Sequence, residues 1–589
     1  MSGSNVLPIQ AETLAISQKR LKIEIESQFQ FNKAYKPKEL PAIIALSAIC
    51  LKKMNLCKPA FMSSVPLNRP PTAAVSTAAR PVAVVDIGAT SVRMAIAEID
   101  PRGTVRILEE VSQAVSLGKD TFTIQRIRRQ SIEECAVVLK SYRRLMQEFG
   151  ISRPDQVRVV ATSAVREASN RLAFIDRMYI ATGLEVESLD EAEVNRITYM
   201  GIQPLLQANP ALASVKTIVV EVGSGSTEIL VVRGGNVLFS NTYRLGSLRL
   251  LEQVDKLNTS HAKQRAIIES QIHRLVHQIY EHVDSDKQIQ MVAIGGDVRL
   301  AAANVPGAEF NNQICRVPFE GLMEFAKLVS VLKVEDLIAR FGLTYADADT
   351  VWPALMSYVL LAKEFQCQQI YIADTNLRDG LLSDLAVRDA WTAEFRNQII
   401  RSAINLGRKL AFDETHARHV ATLSRKLFSD LVEEHQLDQR MELVLYLAAL
   451  LHEIGTFINA RSHHKHAMYI IRNSELFGLS VRDVLLVALI VRYHRRSSPQ
   501  PDHEGYATLD RNDRVAVAKL AAILRLAIAL DESRSQRISN IRCRRDGDRL
   551  TIATHGIEDV SLEQLTVRQS GDLFEEVFGM SVFLRSEAG

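Results

Sequence analysis

Two stretches of the chain can be laid over one another without a gap. Val84-Val85-Asp86-Ile87-Gly88-Ala89-Thr90-Ser91 matches Val219-Val220-Glu221-Val222-Gly223-Ser224-Gly225-Ser226. In each, two valines precede an acidic residue, a glycine follows two positions on, and a serine stands five positions on. A short apolar strand that ends in a carboxylate and a glycine turn, used twice, restricts the fold to two related α/β lobes facing each other across a cleft.

Around each copy the pattern alternates between the strand and helix periods. Val82–Asp86 and Ser91–Ile99 read as strands, Gln125–Glu148 as a long helix, Val157–Thr162 as a strand, and Arg171–Ala181 and Glu191–Met200 as helices. Thr217–Val232 is strand, glycine turn and strand again. A further turn, Gly295-Gly296-Asp297, precedes another helix. Beyond Asp389 the strand signal stops, and helical patterns run over Arg401–Leu431, Met441–His452, His466–Asn473, Val481–Tyr493 and Val515–Ala529. Alternation near Leu550–Ala553 and Leu565–Arg568 predicts a small terminal sheet. The predicted organisation is an N-terminal extension and linker (1–80), lobe I (81–205), lobe II (206–388), an all-helical domain (389–545) and a small C-terminal region (546–589).

The extension ends in SSVPLNRPPTAAVSTAAR, a Pro/Ser/Ala/Thr-rich run that cannot pack a core and reads as a flexible linker. The remainder can bury several cores, since 47% of the 589 residues are hydrophobic. A net charge of +3 excludes a global polycation, so affinity for a polyanion must come from a local cluster, and no specific nucleic-acid partner is expected. No stretch reaches the roughly 20 apolar residues needed to span a bilayer. The six cysteines (Cys50, Cys57, Cys135, Cys315, Cys367, Cys543) lack the spacing of a disulfide framework or zinc knuckle, which points to a reducing, cytoplasmic setting.

A strand delivering Asp-x-Gly-x-x-Ser sets backbone N–H groups and a hydroxyl around a concavity that suits phosphate oxygens. One such turn is an ordinary tight hairpin. Two that superpose point to a phosphate chain clamped between the lobes. Asp86, at its strand end, can hold Mg²⁺ directly or through water, because hard cations take oxygen ligands and phosphate brings the rest.

Four motifs in order then carry a family resemblance: Asp86-Ile87-Gly88, Ala161-Thr162-Ser163-Ala164-Val165-Arg166-Glu167-Ala168-Ser169-Asn170, Gly223-Ser224-Gly225-Ser226-Thr227-Glu228 and Leu377-Arg378-Asp379-Gly380. The helical part adds Leu451-His452-Glu453-Ile454-Gly455, His463-His464-Lys465-His466, Arg492-Tyr493-His494-Arg495 and Leu524-Arg525-Leu526-Ala527 through Asp531. From Pro81 onward the chain resembles the exopolyphosphatase / guanosine pentaphosphate phosphohydrolase family, within the actin-like, Hsp70-like phosphotransferase superfamily. The resemblance implies two actin-like (ribonuclease H-like) α/β lobes followed by an all-helical HD-type domain, Mg²⁺ as cofactor, and a homodimer. It also implies release of orthophosphate from the end of inorganic polyphosphate, or of the 5′ γ-phosphate from guanosine pentaphosphate. On that reading Gly88, Ser91, Gly223, Gly225, Ser226 and Thr227 hold the phosphoryl group, and Arg93 and Arg166 supply cationic donors. Asp86 and Glu228 are the metal-associated acids.

Two positions depart from the family pattern. Its catalytic base is the second Glu of Ser-Gly-x-Glu-Glu-Ala; registering Tyr199-Met200-Gly201 on the family's ending puts Val194 there and Glu193 one residue earlier. Neighbouring helix residues point about 100° apart, so Glu193 takes over only after a one-residue slip. Glu221 stands where the family has Asp, which keeps the charge but moves the carboxylate. Catalytic candidates are therefore Glu193, Glu221 and Arg166.

In the helical domain an HD-type metal site would draw on His416, His452, Glu453 and Asp531, with Glu453 in place of the type's Asp. Lys465, His466, Arg492, His494, Arg495 and Arg496 read either as a track for a polyanion or as a solvated basic face. The sequence thus predicts a Mg²⁺-dependent exopolyphosphatase-like hydrolase. The alternatives are guanosine pentaphosphate hydrolysis, a polyphosphate- or alarmone-binding protein with weak or no turnover, and an actin-like ATPase or sugar kinase.

Overall fold

The computed structural model describes residues 79–587 except 256, 258–259, 284–288, 312, 388–392, 475, 496 and 558. The expected extension and linker lie outside the described residues, apart from 79 and 80.

The sequence repeat becomes a repeat of topology. In lobe I, β1 (Arg80–Ile87), β2 (Ser91–Ile99), β3 (Val105–Ala114), β4 (Val157–Ala161) and β5 (Val186–Ser188) form a sheet in the order β3-β2-β1-β4-β5. In lobe II, β6 (Lys216–Val222), β7 (Thr227–Arg233), β8 (Asn236–Tyr243), β9 (Ile289–Ile294) and β12 (Gln369–Ala373) run β8-β7-β6-β9-β12. That is the same order, extended at one edge by β11 (Ile314–Pro318) and β10 (Glu309–Asn311). The first hairpin of each lobe is antiparallel and the next strand joins in parallel. Parallel pairing needs a crossover, which supplies the helices on the sheet faces.

β1 is apolar at nearly every position because both of its faces are covered. Ala83, Val85 and Ile87 face a core with Leu139 and Phe174. Val82 and Val84 face a second core with Val194, Ile197, Leu381 and Leu382. The second core shows how the chain is laced together, since the helix Leu377–Val387 returns to lobe I and packs on the helix Glu191–Ala208. Expected boundaries at 205/206 and 388/389 therefore do not separate bodies in space. The helix Glu191–Ala208 carries Val194 and Ile197 into lobe I and Tyr199, Ile202 and Leu206 into a core shared by lobe II and the helical domain.

Gly380 makes the crossing of those two helices. A Cβ there would lie 2.1 Å from the backbone oxygen of Ile197. Overpacking against backbone typically costs about 1–3 kcal/mol. Gly380→Ala is expected to lose at least that much stability, measured as a lowered denaturation midpoint; an unchanged midpoint would show that the helices part freely.

The helical domain contains Ala393–Lys409 and Glu414–Asp430, divided by Ala411 at φ 50, where a single helix pattern was expected. Met441–Leu451, His463–Arg472, Val481–Arg492 and Arg511–Ala529 complete its main helices. The terminal sheet starts earlier than expected, because β13 (Ile541–Asp546) pairs with β14 (Arg549–His555) and β15 (Ser581–Glu587) joins in parallel. A boundary at 545/546 would cut that hairpin. Leu565–Arg568 lies in the helix Ser561–Ser570, not in a strand. Among the described residues no helix is long and apolar enough to cross a membrane.

Candidate active site

The two glycine turns are built alike and face each other. Gly88 N–H donates to Ser91 O at 2.9 Å, and Gly223 N–H to Ser226 O at 2.8 Å. A Cβ at either glycine would sit 3.2 Å from that same serine oxygen, tight enough to disturb the turn. Across the gap Thr90 Oγ1 and Ser224 Oγ are 3.5 Å apart. Between the turns lies a cleft of about 300 Å³, lined by Asp86, Gly88, Ser91, Arg93, Arg166, Glu221, Gly223, Gly225, Ser226 and Glu228 among others.

The lobes are clasped beside this cleft. Arg249 stacks on Phe122 with its guanidinium carbon 4.2 Å from the ring centre. It donates to Gly225 O at 2.7 Å and pairs with Glu167 of lobe I at 2.7 Å. Gly225 lets the lobes approach, since a Cβ there would lie 2.3 Å from Ser163 Oγ and 2.5 Å from Phe122 Cζ.

Strand register sets the charges. Asp86 pairs with Arg93 across β1 and β2, and at the equivalent place Glu221 pairs with Glu228 across β6 and β7. The repeat thus offers a cation from one lobe where it offers an anion from the other. Arg93 lines the cleft, and its charge acts on Asp86, Glu221 and Asp297. Arg166 donates to Leu189 O at 3.0 Å and reaches Glu191 at 3.8 Å, while still lining the cleft.

Four acids of the cleft are pushed toward the neutral form. Burial raises Asp86, opposed by the charges of Arg93 and Arg378. Burial, then the charge of Asp86, raises Glu221, opposed by Arg299 and by a 3.3 Å hydrogen bond from Thr198. Burial and the neighbouring Glu221 lift Glu228 to about 8, although Ser226 donates to it at 2.6 Å. Burial, with Asp347 adding to it, lifts Asp297 to about 7. Asp297 is a cleft residue that sequence reasoning missed as a candidate; its signal was the third glycine turn, Gly295-Gly296-Asp297.

The raised value of Glu228 has a sign that can be checked. Its ordinary value is 4.5 and its folded value about 8. Between them the folded chain holds a proton that the unfolded chain has lost, so this group's contribution to stability falls as pH rises through that window. Melting midpoints in chelator are expected to fall less steeply with pH for Glu228→Gln than for the unaltered chain. Parallel curves would contradict the assignment.

The acids also fit a hard cation. Asp86 Oδ1 is buried without a hydrogen-bond partner. No three acids of the cleft converge among the described residues. A magnesium ion would therefore be held by one or two carboxylates, Asp86 and Glu228 being the candidates, and by oxygens of the phosphate itself, the usual manner for this ion.

Two expected site residues are not brought to the cleft. Glu193 lines a different cavity of about 1030 Å³ between lobe I and the helical domain. There it is bound by Arg196 at 2.6 and 2.8 Å and by Arg158 at 3.2 Å. Burial would raise its pKa, but these guanidinium groups hold it below the usual carboxylate range. The helix did not slip: Asp190 caps it by accepting from Glu193 N–H at 2.7 Å, and the side chain presented to the cleft is Val194. Thr227 is the second. Strand alternation sends Ser226 and Glu228 to the cleft and Thr227 to the other face, fully buried, its hydroxyl donating to Leu245 O.

In the helical domain His416, His452 and Glu453 place one ligand atom each within 4.8 Å of one another. Asp531 does not stand among them but accepts from His416 Nδ1 at 2.7 Å. His494, read as part of a basic face, is buried at 8% exposure, whereas Lys465 and Arg495 are exposed. Arg496 lies outside the described residues.

Fold and cleft define a two-lobed, actin-like α/β protein with an appended helical domain. The Ppx/GppA phosphatase family model matches residues 95–389, and the model for Ppx/GppA phosphatase, domain III, matches 400–567. The chain belongs to the Ppx/GppA phosphatase family. Similar solved structures include a Ppx/GppA family member from Aquifex aeolicus, 24% identical, covering 54% of this chain and 100% of that one with a TM-score of 0.44. An exopolyphosphatase from Cytophaga hutchinsonii is 18% identical and covers 52% of this chain and 98% of its own, with a TM-score of 0.46.

Proposed function

We propose that the chain is a phosphoric anhydride hydrolase that releases terminal orthophosphate from inorganic polyphosphate. The reading is carried by the two equivalent glycine turns meeting at Thr90 and Ser224 over a cleft rich in buried carboxylates. Turn amides with Ser91 and Ser226 cradle the terminal phosphoryl group, and Arg93 and Arg166 meet its charge. Mg²⁺ on Asp86 and Glu228 would neutralise charge on the phosphate oxygens. Glu221 replaces Glu193 as the carboxylate that orients water. The water oxygen bonds to phosphorus, the bridging P–O bond breaks toward the shortened chain, and Glu221 accepts the water's proton. Guanosine pentaphosphate offers the same end-group and is the alternative substrate.

A second reading, binding with little turnover, is favoured by one observation: Val194 lines the cleft where the family resemblance places the base. Phosphate release from long-chain polyphosphate, guanosine pentaphosphate and ATP separates these readings. Magnesium-dependent release from polyphosphate supports the first. Binding without release supports the second, and release from ATP alone contradicts both.

A further inference from the structure

The small terminal sheet has two unlike faces. Strand alternation sends Ile541, Leu550, Ile552, Val582 and Leu584 to the face that joins the helical core, and the helices Ser561–Ser570 and Asp572–Phe578 pack on that sheet. The register fixes what the opposite face carries. Its three rows across β13, β14 and β15 read Arg542–Ala553–Arg585, Arg544–Thr551–Phe583 and Asp546–Arg549–Ser581. Arg542, Arg544, Arg549 and Arg585 are all exposed, and Thr551 and Phe583 are half-buried.

Arginines of the same segment that turn elsewhere are neutralised. Arg534 reaches Glu453 and Asp413, Arg537 reaches Glu563, and Arg545, on the other face of β13, reaches Glu434 at 4.0 Å. On the outer face the row neighbours of Arg542, Arg544 and Arg585 are Ala553, Thr551 and Phe583, none of them acidic. Among the described residues of this face the acids stand at its ends: Asp546 at the hairpin, and Glu587, 3.6 Å from His555. The middle strand gives a low floor, Ala553 and Thr551, between longer side chains on both sides. Arg542 and Arg544 are about 7 Å apart along β13, with Arg585 and Phe583 about 10 Å away on β15. Arg549 lies over the Phe583 ring, its guanidinium carbon 5.6 Å from the ring centre, a cation–π contact at the surface.

Positive charge alone would suit any phosphate polymer. An aromatic ring among arginines adds a second kind of contact, because a planar base stacks on the ring and on guanidinium planes while its phosphate meets the charge. We propose that this sheet face binds single-stranded nucleic acid without preference for base sequence, the strand lying in the trough over β14. The four long cations of the face are arginines, whose flat, weakly hydrated fork both stacks and pairs with phosphate; a lysine would serve an inorganic chain as well. A local cluster of this kind is compatible with the chain's small net charge of +3. A duplex hides its base faces, so Phe583 would gain nothing from one. None of these residues lines the cleft between the glycine turns.

The test measures fluorescence anisotropy of a labelled, unstructured single-stranded RNA of about twelve nucleotides, within the usual span of such sites, on the full chain. Inorganic polyphosphate and a duplex of the same sequence serve as competitors. Log affinity is expected to fall against log salt with a slope of about −2 to −3, as four phosphate contacts on a single strand give. Arg542→Gln with Arg544→Gln should weaken RNA binding at least tenfold and make the slope shallower by about one. Phe583→Leu, which keeps apolar bulk but removes the ring, should weaken RNA about 5- to 100-fold and leave polyphosphate binding unchanged. Circular dichroism checks that each variant is folded. No binding of RNA by the unaltered chain would overturn the proposal, as would unchanged binding in the folded double arginine variant. Loss of both polymers in that variant, with none in Phe583→Leu, would make a bare phosphate chain the occupant and overturn it too.

Discussion

Glu221→Gln is expected to lower phosphate release from polyphosphate by about 10²- to 10³-fold, within the usual contribution of a positioned general base. The amide keeps the size of the side chain and its contact with Thr198 but cannot accept the water's proton. Binding should hold or tighten, because the exchange removes one negative charge from a cleft that already carries Asp86 and Glu228. Single-turnover release and equilibrium binding, measured on the same protein, check the two halves. Loss of binding together with release would make Glu221 a structural residue.

Val194→Glu is expected to raise release by about 10- to 100-fold. The substitution restores the carboxylate that the family resemblance places at this helix position, and Val194 already points its side chain at the cleft. Its 6% exposure means that the new charge enters a largely dry wall, so some stability will be lost. Arg166 stands at the same cleft to meet that charge. A folded Val194→Glu protein with unchanged turnover would show that water is already fully oriented from the Glu221 side.

The repeat was legible because it is chemical as well as geometric: matched valines, acids, glycines and serines leave β1 and β6 few other ways to turn. Asp86 and Glu221 follow from it, Arg93, Arg166 and Glu228 from the family resemblance, and all five line the cleft. What failed was phase. Glu193 and Val194 are adjacent on a helix, and the cap from Asp190 and the guanidinium groups of Arg158 and Arg196 hold Glu193 away from the cleft; Arg158 comes from outside the motif. Thr227 misled because a hydroxyl beside Ser226 looks equivalent until alternation is counted. The edge strand β3 was not read from the sequence: its apolar residues do not alternate cleanly with polar ones, and all of its residues are partly or fully exposed.

The central claim is that the space between the Gly88 and Gly223 turns receives the terminal phosphate. Diffraction from crystals soaked in tungstate, a heavy mimic of phosphate, tests it directly. Anomalous density is expected between the two turns, within hydrogen-bonding reach of their amides and of Ser91 and Ser226. Density confined to another part of the molecule, with these turns empty, would contradict the account.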